Sequence, residues 1–144
     1  MVELSQWQGI IVPQRHETGC IPTGYEWMIK YLGIKGVNLK TFQEDFDLKF
    51  RCEGDNSFVP VAARVKGRYP HVDIKIKDFS NGEEKVAFMK QLIKDDIPCV
   101  MSIAKPSGDW HIVPVVSIDD TKVKVIWVAN TFGNQVCEYP IAEI

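Results

Sequence analysis

Reactive side chains are scarce in this chain. Its 144 residues include three histidines and four cysteines, and no two cysteines stand at C-x-x-C spacing. His16, His71 and His111 do not fall at zinc-ligand spacing from Cys20, Cys52, Cys99 or Cys137, so no metal is expected. The long intervals between cysteines point to thiols rather than disulfides. The longest apolar runs are strand-sized, whereas a bilayer span needs about 20 residues. A basic segment leading into an apolar core is missing from "MVELSQWQGIIVPQ", so no signal peptide is expected and the chain reads as soluble and cytoplasmic. An excess of positive charge is missing too. Seventeen basic and 19 acidic residues, interspersed, give a net charge of -2. Such a surface offers no stripe for tracking phosphates, which disfavours nucleic acid as a partner. Repeats and low-complexity tracts are absent, so residues 1–144 read as one domain. What remains is ordinary globular material, 45% apolar and 25% charged.

The chain divides into a helical first half and a strand-rich second half. Ile21, Tyr25, Met28, Ile29 and Leu32 recur at helical spacing, with Gly33 as the stop. A second helix follows Asn38 with Leu39, Phe42 and Phe46 on one face. Ser57 and Pro60 open a third, which carries Val61, Ala62 and Val65 to Gly67. "HVDIKIKDF" alternates Val72, Ile74 and Ile76 and predicts a half-buried strand. A further helix starts near Asn81, with Val86, Met89, Leu92 and Ile93 inward. The runs "IPCVMSIA", "HIVPVVSI", "KVKVIWVAN" and "QVCEYP" then read as strands. The segments between the first three, "KPSGDW" and "DDTK", have hairpin-turn composition. Helices first and an antiparallel meander afterwards predict an α+β fold.

Cys20 stands just before the first helix, and Pro22 marks that start, because a proline in the first turn forfeits no hydrogen bond. A helix N-terminus favours the thiolate, the reactive form of cysteine. A lone cysteine is more often a buried hydrophobe, and Cys99 and Cys137 read that way. His111 gives Cys20 a different reading. It opens the run "HIVPVVSI" and supplies the general base that thiol catalysis needs. Asn130 ends the next run. If Asp119–Lys122 turns a hairpin, Asn130 is brought beside His111, where a carboxamide orients an imidazole; by itself it reads as a turn residue. Gln14 offers a side-chain amide to the oxyanion of acyl transfer, together with the Cys20 N–H.

Q-x5-C at a helix start, His at the head of a strand and Asn after the next strand resemble a papain-like cysteine peptidase. The short Cys-to-His interval is similar to the compact branch typified by bacteriocin-leader-processing (double-glycine) peptidase domains. "CIPTGYEWMIKYLG" and "GDWHIVPVVSID" carry that likeness across most of the chain. The resemblance implies a papain-like fold, with N-terminal helices packed on a C-terminal antiparallel sheet. It implies Cys20 as nucleophile, His111 as general base and acid, Asn130 as its orienter, and Gln14 in the oxyanion hole. Trp110 and Gly19 flank these groups as candidate substrate contacts; Trp110 reads equally well as a core aromatic. Ile21 stands where the branch carries glycine. The branch commonly uses aspartate as third member, but Asp119 and Asp120 occupy the far turn.

The expected function is that of a thiol-dependent peptidase or amidase acting through an acyl-enzyme, with no cofactor and with a peptide or other amide as substrate. An acyltransferase using the same triad, and a non-catalytic peptide-binding module on the same scaffold, are the alternatives. The sequence leaves oligomeric state open.

Overall fold

The computed structural model describes residues 1–15, 20–46, 58–104, 110–127 and 135–143. In chain order it forms strand β1 (Val2–Glu3), helices α1 (Cys20–Leu32), α2 (Phe42–Phe46), α3 (Phe58–Arg68) and α4 (Gly82–Lys94), and strands β2 (Cys99–Ala104), β3 (Trp110–Ile118), β4 (Lys122–Trp127) and β5 (Gln135–Pro140). Among the described residues these strands make one antiparallel sheet. β2, β3, β4 and β5 meander in sequence order, and β1 pairs with the far end of β3. The α+β expectation holds, and no helix among the described residues is long and apolar enough to cross a membrane.

Local chemistry explains the element ends. Gly33 takes φ +65, which lets the N–H groups of Gly33 and Ile34 return to Lys30 and Ile29 and close α1. Asn81 caps α4 by accepting from the Glu84 N–H at 2.9 Å. The Asp119 carboxylate accepts from the Thr121 and Lys122 N–H groups at 2.7 and 2.8 Å and folds the β3–β4 turn. Those three donors, counting the Thr121 hydroxyl at 2.9 Å, hold the Asp119 carboxyl below its ordinary range. Pro114 has no N–H for the ladder. It lies just before the irregularity between Val115 and Ser117, where β3 and β4 change register.

Register assigns the faces of the sheet. Val100, Ser102, Ile112 and Pro114 share one face, because Ser102 opposes Ile112 and Val100 opposes Pro114. Helix α1 covers this face at Gly24, whose position is so close that a β-carbon there would meet Val100 Cγ1 at 3.2 Å and Ile112 Cγ2 at 3.6 Å. Met101 and Val113 alternate to the other face and share a core cluster with Val86, Met89 and Ile93 of α4. A second cluster joins Ile21, Tyr25 and Ile29 of α1 to Phe42 and Phe46 of α2 and to Val61 of α3.

The strand expected at "HVDIKIKDF" is not formed; residues 72–79 run outside regular structure. The alternation decays along the segment, from buried Val72 through half-buried Ile74 to exposed Ile76. Its periodicity sets which side chains turn inward, but no sheet edge pairs with it. β1, conversely, is two residues long and has no period to detect.

The Gly24 contact gives a direct expectation. Gly24→Val should cost about 1–3 kcal/mol of unfolding free energy through overpacking against Val100 and Ile112. Gly24→Ala should stay within about 1 kcal/mol, since better helix propensity offsets a shift of a few tenths of an ångström. Denaturant unfolding of both variants checks the pair.

Candidate active site

Cys20 is the first residue of α1, and Pro22 lies in the first turn, as the sequence predicts. The thiol is half-buried beside the cluster containing Ile21 and Ile112. Contacts at the two ends of α1 fix its direction along the sheet. Gly24 lies over Ile112, near the start of β3. Seven residues on, Tyr31 donates to Asp96 Oδ1 at 2.7 Å and accepts the Gln6 N–H at 3.1 Å. Those partners sit beside the end of β3, because the Leu4 N–H bonds the Val116 carbonyl and Glu3 pairs with Ser117. α1 and β3 therefore run the same way. Stepping back from Gly24 by four residues, about 6 Å of helix, brings Cys20 level with the first residues of β3.

His111 is the second of those residues. It is 6% exposed, opposes Ile103 in β2, and packs its ring on Trp127 of β4 with centroids 4.3 Å apart and planes tilted by 40°. Strand alternation turns it away from the Ile112 face and toward β4. Asp119 follows β3 directly. Seven strand residues, Ile112 to Ile118, about 25 Å of chain, separate it from His111, so neither Asp119 nor Asp120 reaches the imidazole. Asn130 and Gly19 lie outside the described residues, and so does the side chain of Trp110, whose backbone opens β3 opposite Ala104. His16 also lies outside.

Gln14 sits half-buried in a segment held with unusual precision for a loop. Gln43 of α2 is fully buried, and its carboxamide spans the residue on either side of Gln14. Gln43 Oε1 accepts the Arg15 N–H at 2.7 Å, and Gln43 Nε2 donates to the Pro13 carbonyl at 2.9 Å. One amide group thus satisfies a donor and an acceptor and fixes the backbone around Gln14. Arg15 extends the clamp. Its Nε donates to Glu44 Oε1 at 2.9 Å, and its Nη2 reaches Glu26 Oε1 of α1 at 3.3 Å. Gln14 is thereby tied to the helix that begins with Cys20. Arg15 thus bridges α1 and α2. Gln43 and Glu26 were missed. The available signal was polarity out of place: a glutamine beside Phe42, and a glutamate between Tyr25 and Trp27 on a helix buried almost all round.

No protein-family model, curated protein or solved structure matches the chain. Its chemistry is therefore read from these residues. No group of three or more His, Cys, Asp and Glu side chains among the described residues is placed to hold a metal ion. Cys99 is a thiol pushed up to about 12 by burial, which leaves it unreactive at neutral pH. Cys20 differs in standing at a helix start.

The clamp makes stability depend on pH in a stated direction. Burial raises the Glu26 carboxyl above its ordinary range, opposed by the Arg15 charge. In the window above the ordinary carboxylate range the folded state then holds more protons than the unfolded one, so this group's contribution falls as pH rises. Arg15→Met removes the opposing charge and should lower the melting temperature more at pH 8 than at pH 5. In the Glu26→Gln background the same substitution should lose that difference. Thermal melts of the three variants at both pH values measure it.

Proposed function

We propose that the chain is a papain-like thiol hydrolase that cleaves a peptide or other amide bond through an acyl-enzyme. The parallel course of α1 and β3 carries this reading: it starts Cys20 and His111 at the same end of the sheet, and since α1 covers the Ile112 face while His111 lies on the other, the two groups would meet around that end. Support also comes from the clamp that fixes the backbone on both sides of Gln14, and from the burial of His111 against Trp127.

In this mechanism His111 takes the proton of the Cys20 thiol, and the resulting thiolate, favoured by the helix N-terminus, attacks the substrate carbonyl carbon. The carbonyl electron pair moves to oxygen, where the Gln14 carboxamide and the Cys20 N–H donate to it. The oxyanion collapses, the C–N bond breaks, and His111 delivers a proton to the departing amine. His111 then takes a proton from water, which attacks the thioester and releases the acid and the Cys20 thiol. Asn130 orients the imidazole throughout.

Chloroacetamide alkylation followed by peptide mapping tests the nucleophile without a known substrate. Cys20 should react faster than Cys99 and Cys137 at mildly acidic pH, and His111→Ala should slow it about tenfold or more. Alkylation of Cys20 no faster than Cys137, unchanged in His111→Ala, would count against an activated thiol and for a binding module. On an amide substrate, His111→Ala should lose about 10²–10⁴ in kcat and Gln14→Ala about 10²–10³. Added amines competing with water for the thioester would mark an acyltransferase.

A further inference from the structure

Away from Cys20 and His111, a cavity of about 890 Å³ runs between α1, α4 and the outer edge of β2, with residues 72–79 strung along it. Its volume lies in the range of small-molecule sites. Four large apolar side chains that stand at the surface, Leu32, Ile76, Phe88 and Ile97, all open onto it. Lone exposed apolar residues need no explanation, but a set converging on one groove does. Along α4 the lining extends from Gly82 to Leu92, about 15 Å of helix. Met28 and Ile29 of α1 face it from the other wall, so both walls are largely aliphatic.

Five charged residues line it, of which Asp73, Lys75, Lys77 and Asp78 stand exposed on the 72–79 segment and Lys85 alone is half-buried. Lys85, in the second turn of α4, lines the cavity at its Gly82 end. Its Nζ lies 3.5 Å from the Ser102 carbonyl, a long contact, and no carboxylate among the described residues lies within ion-pair distance. Asp73, the nearest acidic candidate by sequence on the facing segment, is paired with Lys66 at 3.4 Å. Burial pushes the Lys85 amine below its ordinary range, with no opposing negative charge to raise it. Lys75 and Lys77 line the same cavity with Asp73 and Asp78, so with Lys85 its charged lining is three lysines to two aspartates. The Lys77 amine stands 4.5 Å from the centre of the Phe88 ring.

We infer that this groove binds a long-chain monocarboxylate, its carboxylate on Lys85 and its aliphatic chain running along α4 toward Ile97 and Leu32. Lys85, the one half-buried charge of the lining, complements one carboxylate, and that pairing is charge-assisted and partly shielded from water. The site is independent of thiol chemistry, and Cys20→Ala should bind as the parent does.

Isothermal titration with decanoate, dodecanoate and tetradecanoate, with dodecanol as the uncharged probe, tests the assignment on the full chain. Binding should be one to one, and each two-carbon extension should tighten it about tenfold. Lys85→Met should weaken dodecanoate about tenfold or more and leave dodecanol unchanged, which also shows that the groove is intact. Ile76→Asp, at a rim residue 39% exposed, should repel dodecanoate without touching Lys85. Absence of saturable binding by the parent chain, or equal dodecanoate affinity in Lys85→Met, would overturn the inference. Binding of an acidic, apolar peptide where dodecanoate fails would replace it with a peptide groove.

Discussion

A helix approaches a sheet only as closely as the side chains between them allow, and at Gly24 there is none on the helix side. That missing side chain sets α1 directly on Val100 and Ile112, and the remaining geometry follows from it. The other end of α1 is pinned by Tyr31 to Asp96, which takes φ +59 and also accepts from the Ser5 N–H and hydroxyl at 2.8 and 2.7 Å. Those donors hold the Asp96 carboxyl below its ordinary range. A helix fixed at both ends along one strand has a defined direction and level. Cys20 and His111 inherit their shared end of the sheet from that constraint.

A second constraint is polar. Glu26 is 5% exposed and Gln43 is fully buried, positions that cost free energy unless their groups are bonded. Arg15 and the Pro13–Arg15 backbone supply those bonds. Such a network is a weak source of stability, since desolvation consumes most of the gain. Its stronger effect is on geometry, because each partner accepts only one arrangement of the loop. The proposed oxyanion donor Gln14 thus sits between two residues whose backbone is held by the interior of the protein. The loop is positioned by the core beneath it.

Much of this was legible in the sequence where the signal was local and periodic. The apolar spacing from Ile21 to Leu32, the cap at Asn81, the stop at Gly33 and the hairpin composition of "DDTK" each describe their own segment, and each element formed where they point. Residues 72–79 show the limit of that logic: alternation says which side chains turn inward, but strand formation needs a partner edge that periodicity does not encode. Gln43 and Arg15 show another. Their roles depend on chain segments about 30 residues apart meeting in space, and only the packing of α1 against α2 brings them together. The order Gln14, Cys20, His111 could be read from the sequence only as a candidate set, while the level at which Cys20 meets β3 required Gly24 and Tyr31 to be located.

The central claim of the proposal is proximity: that the Cys20 thiol and the His111 imidazole, set on opposite faces by strand alternation, meet around the end of the sheet they share. Cross-linking with 1,3-dibromoacetone measures that directly, since its two electrophilic carbons are separated by a single carbonyl. The first bromide is displaced by sulfur and the second by any nucleophile within reach. Mass spectrometry of the digested product should find Cys20 bridged to His111 within one chain, and no bridge in His111→Ala. A reagent attached to Cys20 alone, or bridged from Cys20 to another residue while His111 stays unmodified, would contradict the account.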